Sequence, residues 1–434
     1  MRAASEGSRM NPAPDRIVVI NDLSHPMGGA SALAVSSARR FAERGYPVAL
    51  LAGDAPDPAL ALAGIAVTGL GQTRLLGRSG ALLDGLWNRA AARMVRQWIA
   101  ENDTARTVYH LHGWSQILSP SVFAALAPVR SRLVISAHDF FLACPNGAFT
   151  QFRTGALCPH TALSRACLAE PCDRRGQAHK LWRVARHALQ RLAFQPQSAP
   201  PVLAIHAGMR PMLARAGIPP EVIHPLPNPV VPFSKTRIPA ERNDAVLFVG
   251  RIEATKGADL ALAAARRASL PIILIGEGAD RARLAAEYPE AHFAGRLAPS
   301  AIGALAATAR MLVMPSRYPE PYGLVAMEAA LSGLPVILPP TALLAAGLVA
   351  AGAAATADPQ DVAAHAALLS ALAHDDARVA AMSRAGFTAT RHLALSPEEW
   401  IDRLMAHYTG RLGPVQAPAA ARSGSRSELI AAGA

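Results

Sequence analysis

The sequence predicts an α/β fold with two Rossmann-like domains that face a central cleft. An apolar strand pattern at residues 16–20 opens a strand, loop and helix series, and the same series starts again at residues 245–249. Of the 434 residues, 51% are hydrophobic but only 5% are aromatic, a composition suited to helices packed on parallel strands. This length is enough for two hydrophobic cores. The amphipathic pattern of residues 81–99 predicts one continuous helix in the first half.

A proline-rich linker between the two halves marks the domain boundary. Residues 225–230 read Pro-Leu-Pro-Asn-Pro-Val, a stiff and extended composition. We therefore assign residues 12–230 to an N-terminal domain and residues 241–394 to a C-terminal domain. A helix capped by Ser396 follows at residues 395–410, and the Gly-, Ala-, Ser- and Arg-rich residues 411–434 are predicted to be disordered.

The first domain carries candidate site residues at the predicted carboxyl ends of its strands. Gly28 and Gly29 stand where a helix begins, so the backbone could approach a phosphate there, although a plain tight turn is the simpler explanation. His138 directly follows the apolar strand at residues 133–137 and lies where open α/β sheets bind ligands, although a loop histidine with satisfied hydrogen bonds is the commoner explanation of such a residue taken alone. His110 and His112 are more ambiguous, and either could line the acceptor side.

The second domain carries a basic pair on its first strand-to-helix loop. Gly250 ends the strand, and Arg251 and Lys256 stand five residues apart before a helix that begins near residue 258. A guanidinium and an ammonium on the two sides of such a loop can grip a diphosphate together. Surface charge is the usual explanation of such a pair, but the chain has only three lysines, and this one stands at a helix start.

Two glutamates frame a later loop of the second domain. Glu320 opens this loop, and Glu328 lies one turn into the helix pattern that follows. The residues between them include Pro321, Tyr322, Gly323 and Leu324. A helix start attracts anions, whereas a carboxylate accepts paired hydrogen bonds from vicinal hydroxyl groups. A ligand with both phosphates and sugar hydroxyls would use both features.

Taken in order, the glycine loop, His138, the basic pair and the two glutamates resemble the motif series of the retaining glycosyltransferases of family 4 (group 1). The glutamates, separated by seven residues, carry the resemblance most directly, and it covers residues 17–408. It implies the GT-B fold and a transferase that moves a sugar from a nucleotide-sugar donor to a glycan or lipid-linked acceptor in cell-surface polysaccharide synthesis. It also implies that the C-terminal helix returns to the first domain.

The resemblance implies a role for each candidate residue. The catalytic residues would be His138, Arg251, Lys256 and Glu320. The donor-binding residues would be Gly28, Gly29, Gly250, Arg251, Lys256, Arg296, Leu297, Glu320, Pro321, Tyr322, Gly323, Leu324 and Glu328. Among them, Arg296 and Leu297 would lie near the nucleotide base, and Glu328 would bind the ribose. No cofactor would be required for catalysis, because the chain has no Asp-x-Asp pattern and the basic pair does the work of a cation.

All four cysteines of the chain fall in one insertion at residues 144–172. They are Cys144, Cys158, Cys167 and Cys172. Thiolates suit a structural zinc ion, but the spacing lacks the two-residue knuckle of common zinc sites, so reduced thiols in packing and a redox pair remain alternatives. The insertion resembles one in a subset of family 4 enzymes linked to surface polysaccharides, and we expect it on the acceptor face.

The formal charge of +12 and the pI of about 10.4 favour anionic partners. Phosphorylated substrates, an anionic membrane surface and nucleic acid all belong to this class. The basic residues are scattered, so a solvated arginine-rich surface is the simplest explanation and a membrane-facing patch is the alternative. Neither aromatic interleaving nor a known motif points to nucleic acid, and we expect no nucleic-acid partner.

The amino terminus and the longest uncharged run indicate a cytoplasmic protein. Residues 1–14 lack the apolar core of a signal peptide. Residues 329–357 are numerous enough to span a bilayer, but Pro335, Pro339 and Pro340 interrupt them. We therefore expect a cytoplasmic location, with attachment to the inner face of the cell membrane as an alternative.

Two other functions fit parts of this pattern. A nucleotide-sugar epimerase of the same fold would share the phosphate-binding loops but would need acid and base residues around the sugar carbon. A non-catalytic subunit that binds a nucleotide sugar is the second alternative. The intact basic pair and both glutamates argue against it, because such a subunit would not need to keep them.

Overall fold

The computed structural model describes residues 13–75, 81–152 and 155–412. Residue 12 and residues 413–434, which make up most of the predicted disordered tail, lie outside these ranges. Within them, the chain forms two parallel sheets with flanking helices. No helix in this described part of the chain is both long enough and apolar enough to cross a lipid bilayer.

The N-terminal domain is built on a parallel sheet. Its strands are β1 (Arg16–Asn21), β2 (Val48–Ala52), β3 (Ala66–Gly69), β4 (Thr107–Leu111), β5 (Leu133–Ala137), β8 (Val202–Ala204) and β9 (Ile223–Pro225). They lie in the order β3-β2-β1-β4-β5-β8-β9. Between β5 and β8, the Cys-rich insertion holds an antiparallel hairpin of β6 (Thr150–Gln151) and β7 (Ala156–Leu157).

The C-terminal domain repeats this architecture with a second parallel sheet. Its strands are β10 (Ala245–Val249), β11 (Ile272–Ile275), β12 (His292–Gly295), β13 (Ala309–Val313), β14 (Val336–Leu338) and β15 (Ala354–Thr356). The order β12-β11-β10-β13-β14-β15 puts β10 and β13 side by side. The loops that follow these two strands are therefore neighbours in space.

Helices cover the faces of both sheets. Those of the first half are α1 (Gly29–Glu43), α2 (Pro58–Ala61), α3 (Ala81–Leu86), α4 (Arg89–Asn102), α5 (Ser121–Ala125), α6 (Arg165–Ala169), α7 (Gln177–Phe194) and α8 (Arg210–Arg215). Those of the second half are α9 (Ala258–Arg267), α10 (Arg281–Glu287), α11 (Pro299–Ala306), α12 (Leu324–Leu331), α13 (Ala345–Ala350), α14 (Val362–Ala373), α15 (Asp376–Ala389) and α16 (Pro397–Thr409). The central strands are fully buried because helices cover both faces, which explains their unbroken apolar runs.

The single helix expected over residues 81–99 is wrong, because α3 and α4 are separate helices. Asn88 separates them. Its side-chain oxygen accepts a hydrogen bond from the Ala91 N–H at 3.1 Å and caps α4. Its side-chain amide donates to the Ile117 carbonyl at 2.9 Å. Asparagine is among the best N-cap residues, and here the buried cap outweighs the helical periodicity of the apolar residues.

The chain crosses between the two domains at two neighbouring places. Pro229, in the proline-rich linker, forms an isolated parallel bridge with Leu395, and the Val230 N–H donates to the Leu395 carbonyl at 2.9 Å. Directly beyond Leu395, α16 begins at a capping box formed by Ser396 and Glu399. The linker and the return crossing therefore run together as one connection.

Helix α16 packs on the N-terminal domain. The ring of Tyr408 lies 5.3 Å from the ring of Phe41 in α1. Trp400 and Leu404 are buried in the same apolar cluster as Ile17 of β1. Since α16 carries its apolar stripe onto the first domain, it ties the carboxyl end of the described chain to the layer that holds α1.

Candidate active site

A cavity of about 1050 Å³ lies between the two domains, at the carboxyl ends of their strands. Asn21, His112 and His138 line it from the ends of β1, β4 and β5. Val249 and Val313 line it from the ends of β10 and β13. Open α/β sheets bind ligands at this edge, where helix N-termini supply free N–H groups.

The structure brings nearly all of the predicted site residues to this cavity. Those that line it are Gly28, Gly29, His138, Gly250, Arg251, Lys256, Arg296, Glu320, Pro321, Tyr322, Gly323, Leu324 and Glu328. Leu297 is not among the lining residues, and its side chain packs against the hydrophobic core. A contact between Leu297 and a nucleotide base stays a prediction that this placement does not support.

Lys256 and Glu320 form an ion pair on the C-terminal side of the cavity. Lys256 Nζ lies 2.8 Å from Glu320 Oε1 and 3.0 Å from Oε2, and the two side chains are only 21% and 12% exposed. The Tyr318 hydroxyl accepts from Lys256 at 2.7 Å and donates to Glu320 at 3.0 Å. The Ser316 hydroxyl donates to the other carboxylate oxygen at 2.9 Å. Hydrogen bonds from Lys256, Tyr318 and Ser316 thus hold the Glu320 carboxylate in place.

The pairing fixes the charge of both groups. Burial alone would lower the pKa of Lys256, but Glu320 and Tyr318 raise it above its ordinary value. Burial alone would raise the pKa of Glu320, but Lys256 and two hydroxyl donors lower it. Both groups are therefore ionised near neutral pH, and the cavity wall carries a cation and an anion in direct contact.

Two glycines in the left-handed backbone region shape the loops that carry this pair. Gly257, at a φ of +73°, directly follows Lys256 and begins α9, and a Cβ there would lie 2.0 Å from the Pro315 carbonyl oxygen. Gly323, at a φ of +75°, precedes α12. Glycine adopts this conformation without steric cost, so both loops require it.

Glu328 lies in α12, and its carboxylate forms no hydrogen bond or ion pair within the described residues. Burial raises its pKa to about 7. Glu328 is half-buried, and a partly desolvated carboxyl group without a partner is unfavourable for the folded protein; such groups concentrate at binding sites. Arg251 differs, because its side chain is 63% exposed and pairs with Glu253 at 3.0 Å. Its guanidinium therefore keeps donors for a ligand.

The glycine loop of the N-terminal domain faces the glutamate loop of the C-terminal domain. Gly28, at a φ of +141°, precedes α1, which begins at Gly29. A Cβ on Gly29 would lie 3.6 Å from Leu324 Cδ1, so the start of α1 stands opposite the start of α12. Two helix N-termini, each with free backbone N–H groups, thus meet at the same cavity.

A chain of hydrogen-bonded rings connects the cavity with α16. His138 Nε2 lies 2.9 Å from His112 Nδ1, and His112 Nε2 lies 3.1 Å from His110 Nδ1. His110 also bonds to the Tyr408 hydroxyl at 2.6 Å and to Ser136 Oγ at 2.9 Å. Burial lowers the pKa of His138 to about 4 and those of the other two histidines well below the ordinary value, so all three are neutral. Of the two histidines that the sequence left ambiguous, His112 lines the cavity and His110 lies behind it.

Two aspartates at the cavity were not predicted as site residues. Asp139 accepts a hydrogen bond from the Phe141 N–H at 2.9 Å, and burial raises its pKa to about 6. Asp22 accepts three backbone N–H bonds of 2.8 Å from residues 116–118 and so holds the loop after β4. Asp22 directly follows β1, and Asp139 is the second residue after β5; these positions are the signal available in the sequence.

Tyr322 lines the cavity, but its hydroxyl points to the domain crossing. It lies 3.0 Å from the Leu393 carbonyl oxygen and 3.3 Å from that of Asn228. The side chain is 2% exposed. Tyr322 therefore holds the glutamate loop against the two linker segments, and its hydroxyl is already engaged there.

The cysteines of the insertion cluster around the buried ammonium group of Lys180. Its Nζ lies 2.8 Å from Cys172 Sγ and 3.9 Å from Cys167 Sγ. All four cysteines are buried free thiols. Among the residues that the structure describes, no three His, Cys, Asp or Glu side chains are placed to hold a metal ion. Because a cation already stands among the thiols, the arrangement does not favour zinc and fits reduced thiols in packing better.

Both halves of the chain match glycosyltransferase families. The family model described as Glycosyltransferase Family 4 matches residues 27–232, and the one described as Glycosyl transferases group 1 matches residues 233–388. The two matches meet within the segment that links the two sheets. The chain belongs to the group 1 glycosyltransferases.

Curated relatives match parts of the chain. Glycogen synthase of Mycobacterium tuberculosis is 32% identical over 165 residues, which cover 36% of this chain and 39% of the relative. The GDP-mannose-dependent alpha-mannosyltransferase of Mycolicibacterium smegmatis is 35% identical over 92 residues, 21% of this chain and 24% of the relative. The chain thus matches less than half the length of these relatives.

Solved structures match nearly the whole chain. Anabaena Alr3699/HepE, in complex with UDP, gives a TM-score of 0.64 at 16% identity. The match covers 91% of this chain and 100% of the HepE chain. Sucrose-phosphate synthase of Thermosynechococcus elongatus gives a TM-score of 0.66 at 15% identity, with coverages of 91% and 98%. At these identities the likeness shows the fold, and the predicted GT-B fold is confirmed.

Proposed function

We propose that this protein is a retaining glycosyltransferase that moves a sugar from a nucleotide-sugar donor to a glycan or lipid-linked acceptor. One observation carries the proposal: the Lys256–Glu320 pair and the unpartnered Glu328 line one cavity that His138 closes from the other domain. Binding of a nucleotide sugar requires a cation that contacts its phosphates and carboxylates that accept hydrogen bonds from its hydroxyl groups, and the cavity offers one such cation and two such carboxylates.

The C-terminal domain would hold the nucleotide and its diphosphate. Glu328 accepts hydrogen bonds from two ribose hydroxyls, which gives its half-buried carboxyl group the partners it lacks. Arg251 and Lys256 bind the diphosphate, and the N–H groups at the start of α12 add a positive dipole end. The HepE relative was solved with UDP and with UDP-glucose, which supports this class of ligand.

The reaction would proceed without a cofactor. The bond between the sugar's anomeric carbon and the diphosphate oxygen breaks, and the acceptor oxygen attacks that carbon from the same face. The acceptor proton passes to the departing phosphate oxygen, so the donor configuration is retained. Arg251 and Lys256 stabilise the negative charge that grows on the leaving group. Glu320 accepts hydrogen bonds from hydroxyl groups of the transferred sugar, and its contact with Lys256 keeps the carboxylate ionised.

The histidine chain suits a sugar that becomes positively charged in the transition state. His138 is half-buried and neutral, so it can contact the sugar without repelling that charge. A protonated imidazole at the same place would oppose bond breaking. The N-terminal domain would thus contribute position and exclusion of water, while the C-terminal domain supplies the charges.

The N-terminal half of the cavity would receive the acceptor. Gly147 and Ala148 of the Cys-rich insertion line it, together with residues of α7. The insertion resembles one linked to surface polysaccharides, which supports a role in their synthesis. The charge of +12 supports a cytoplasmic protein attached at the inner face of an anionic membrane.

A donor panel tests this function. Purified protein is mixed with UDP-, GDP- and ADP-sugars, and thermal stabilisation and acceptor-dependent nucleotide release are followed with a crude glycolipid fraction. We expect one nucleotide sugar to stabilise the protein and to be consumed only with acceptor, and NMR of the product to show the donor's anomeric configuration. Conversion of the donor sugar without acceptor would indicate an epimerase, and binding without any release a non-catalytic subunit.

A further inference from the structure

The acceptor half of the cavity is lined by arginines. Five of them belong to the N-terminal domain: Arg74, Arg174, Arg175, Arg183 and Arg186. The C-terminal domain contributes Arg251, Lys256 and Arg296, so both domains supply basic residues to the cavity. A donor diphosphate held by the second group would leave the first group without a bound ligand anion.

Two of these arginines already have structural partners. Arg183 Nε lies 2.9 Å from Asp173 Oδ2, and Arg186 Nε donates to the Gly85 carbonyl at 2.8 Å. Arg186 is buried, and burial lowers its pKa to about 10. These two side chains hold α7 in place and raise the positive potential behind the cavity wall.

Arg74 and Arg174 are free to bind a ligand. Within the described residues, neither guanidinium forms a hydrogen bond or an ion pair. In the same part of the chain, the Arg175 guanidinium contacts His179 Nε2 at 3.2 Å. The carboxyl groups on this side of the cavity are Asp22, which is buried, and Asp139, which is half-buried. Exposed positive charge therefore exceeds exposed negative charge on this wall.

An exposed leucine lines the same cavity as these arginines. Leu82 is 63% exposed there. The Trp182 indole N–H donates to the Leu82 carbonyl at 3.0 Å, which joins α3 to α7. Free guanidinium groups and an exposed leucine in one cavity match a ligand that carries both a phosphate and a hydrocarbon.

We propose that the acceptor carries a phosphate ester, bound by Arg74 and Arg174, with its apolar part on Leu82. This inference rests on the proposed function and names the acceptor's class. The shared chemistry is the phosphate ester, which a lipid-linked sugar or a free sugar phosphate could provide. The guanidinium groups hold the phosphate so that the acceptor's sugar hydroxyl reaches toward the donor.

Binding of small probes tests the subsite without any transfer reaction. Isothermal titration compares geranyl diphosphate, inorganic diphosphate and geraniol on the full chain. We expect geranyl diphosphate to bind most tightly, and Arg74→Ala/Arg174→Ala to weaken it by about tenfold or more, since charge-assisted phosphate contacts are lost. If inorganic diphosphate binds as tightly as geranyl diphosphate, the acceptor is a free phosphate ester. If geranyl diphosphate binds more tightly, the acceptor is a lipid-linked phosphate ester.

Two matched variants separate this subsite from other basic residues. Arg93→Ala/Arg96→Ala removes the same charge from α4, at residues that line a different pocket, and should change the affinity by less than about twofold. Lys256→Ala removes the donor cation and should leave geranyl diphosphate bound. Loss of binding in Lys256→Ala with none in Arg74→Ala/Arg174→Ala would overturn the proposal, as would equal binding of geraniol. Failure of donor binding in the separate panel would instead count against the transferase function.

Discussion

Lys256 and Glu320 belong to loops 64 residues apart in sequence, yet a 2.8 Å contact joins them because β10 and β13 are neighbours. Each neutralises the other, so neither charge is left alone in the unliganded wall of the cavity. A diphosphate would give Lys256 a second anionic partner, and the ionised Glu320 would remain available to sugar hydroxyls. The pair therefore links phosphate binding with sugar binding.

Lys256→Ala should lower turnover by about 10²-fold or more, because it removes a cation from the leaving group. It should also lower the free energy of unfolding by about 2 kcal/mol, since Glu320 would keep its charge without an ionic partner. Steady-state kinetics and urea unfolding measure the two effects.

The double variant Lys256→Ala/Glu320→Ala serves as the control for this prediction. Removing both charges should restore part of the lost stability, because no unpaired charge remains, but should restore no turnover. Recovery of turnover together with stability would assign the pair a structural role only.

Glu328 should make donor binding depend on pH. Burial raises the pKa of Glu328 to about 7, so raising the pH through this value converts the acid into a carboxylate. The carboxylate can accept hydrogen bonds from both ribose hydroxyls. Affinity for the nucleotide sugar should therefore increase from about pH 6 to about pH 8. Calorimetric titrations at several pH values measure this increase, and Glu328→Gln should give a flat profile. A wild-type profile that is also flat would exclude Glu328 from the ribose site.

The two helix caps Asn88 and Asp57 should differ in their effect on stability. Asn88→Ala removes the cap of α4 and a buried amide, leaves the Ile117 carbonyl without its donor, and should reduce stability by about 2–3 kcal/mol. Asp57→Ala removes a solvent-exposed cap of α2 and should reduce it by about 0.5–1 kcal/mol. Urea unfolding compares them, and equal losses would contradict the structural role assigned to Asn88.

The insertion should contain no stoichiometric zinc. Lys180 places an ammonium group 2.8 Å from Cys172 Sγ, and a divalent cation at that position would be repelled. Elemental analysis of purified protein should find well below one zinc per chain, and EDTA should leave the melting temperature unchanged. One tightly held zinc per chain, lost together with stability on chelation, would show that Lys180 moves aside for a metal site.

Tyr408→Phe should affect the cavity from a distance. The Tyr408 hydroxyl bonds to His110, which is connected through His112 to His138. Loss of the hydroxyl therefore removes one end of this series of hydrogen-bonded rings. We expect a loss of about 1–2 kcal/mol of stability and a several-fold lower turnover. Tyr109→Phe is the matched control, because its hydroxyl bonds to Asp103, away from the cavity, and should lower stability alone.

The convergence of the motif residues could be predicted from the sequence because each follows a strand. Parallel strands bring their carboxyl ends to one edge, so local patterns at Gly28, His138 and Lys256 were sufficient to place them together. The break at Asn88 is not evident in the sequence, because the helical period of the apolar residues continues across this cap residue. The role of Leu297 is implied only by the resemblance; its partly buried side chain packs against the core, and its contact with a base stays a prediction.

Contacts between distant segments could not be predicted in the same way. His110 and Tyr408 are 298 residues apart in sequence, and their bond depends on the return of α16 to the first domain. The position of Lys180 among the thiols likewise depends on how α7 packs against the insertion. Such contacts are set by packing geometry, which leaves no periodic signal in the sequence.

Acceptor-dependent nucleotide release in the presence of EDTA tests the central claim most directly. With the donor selected by the panel and a lipid-linked acceptor fraction, we expect wild-type protein to release nucleotide only when acceptor is present. Glu320→Ala should release none above background, although it folds. Release that requires added divalent metal, or that continues in Glu320→Ala, would contradict a metal-free transfer at the Lys256–Glu320 site.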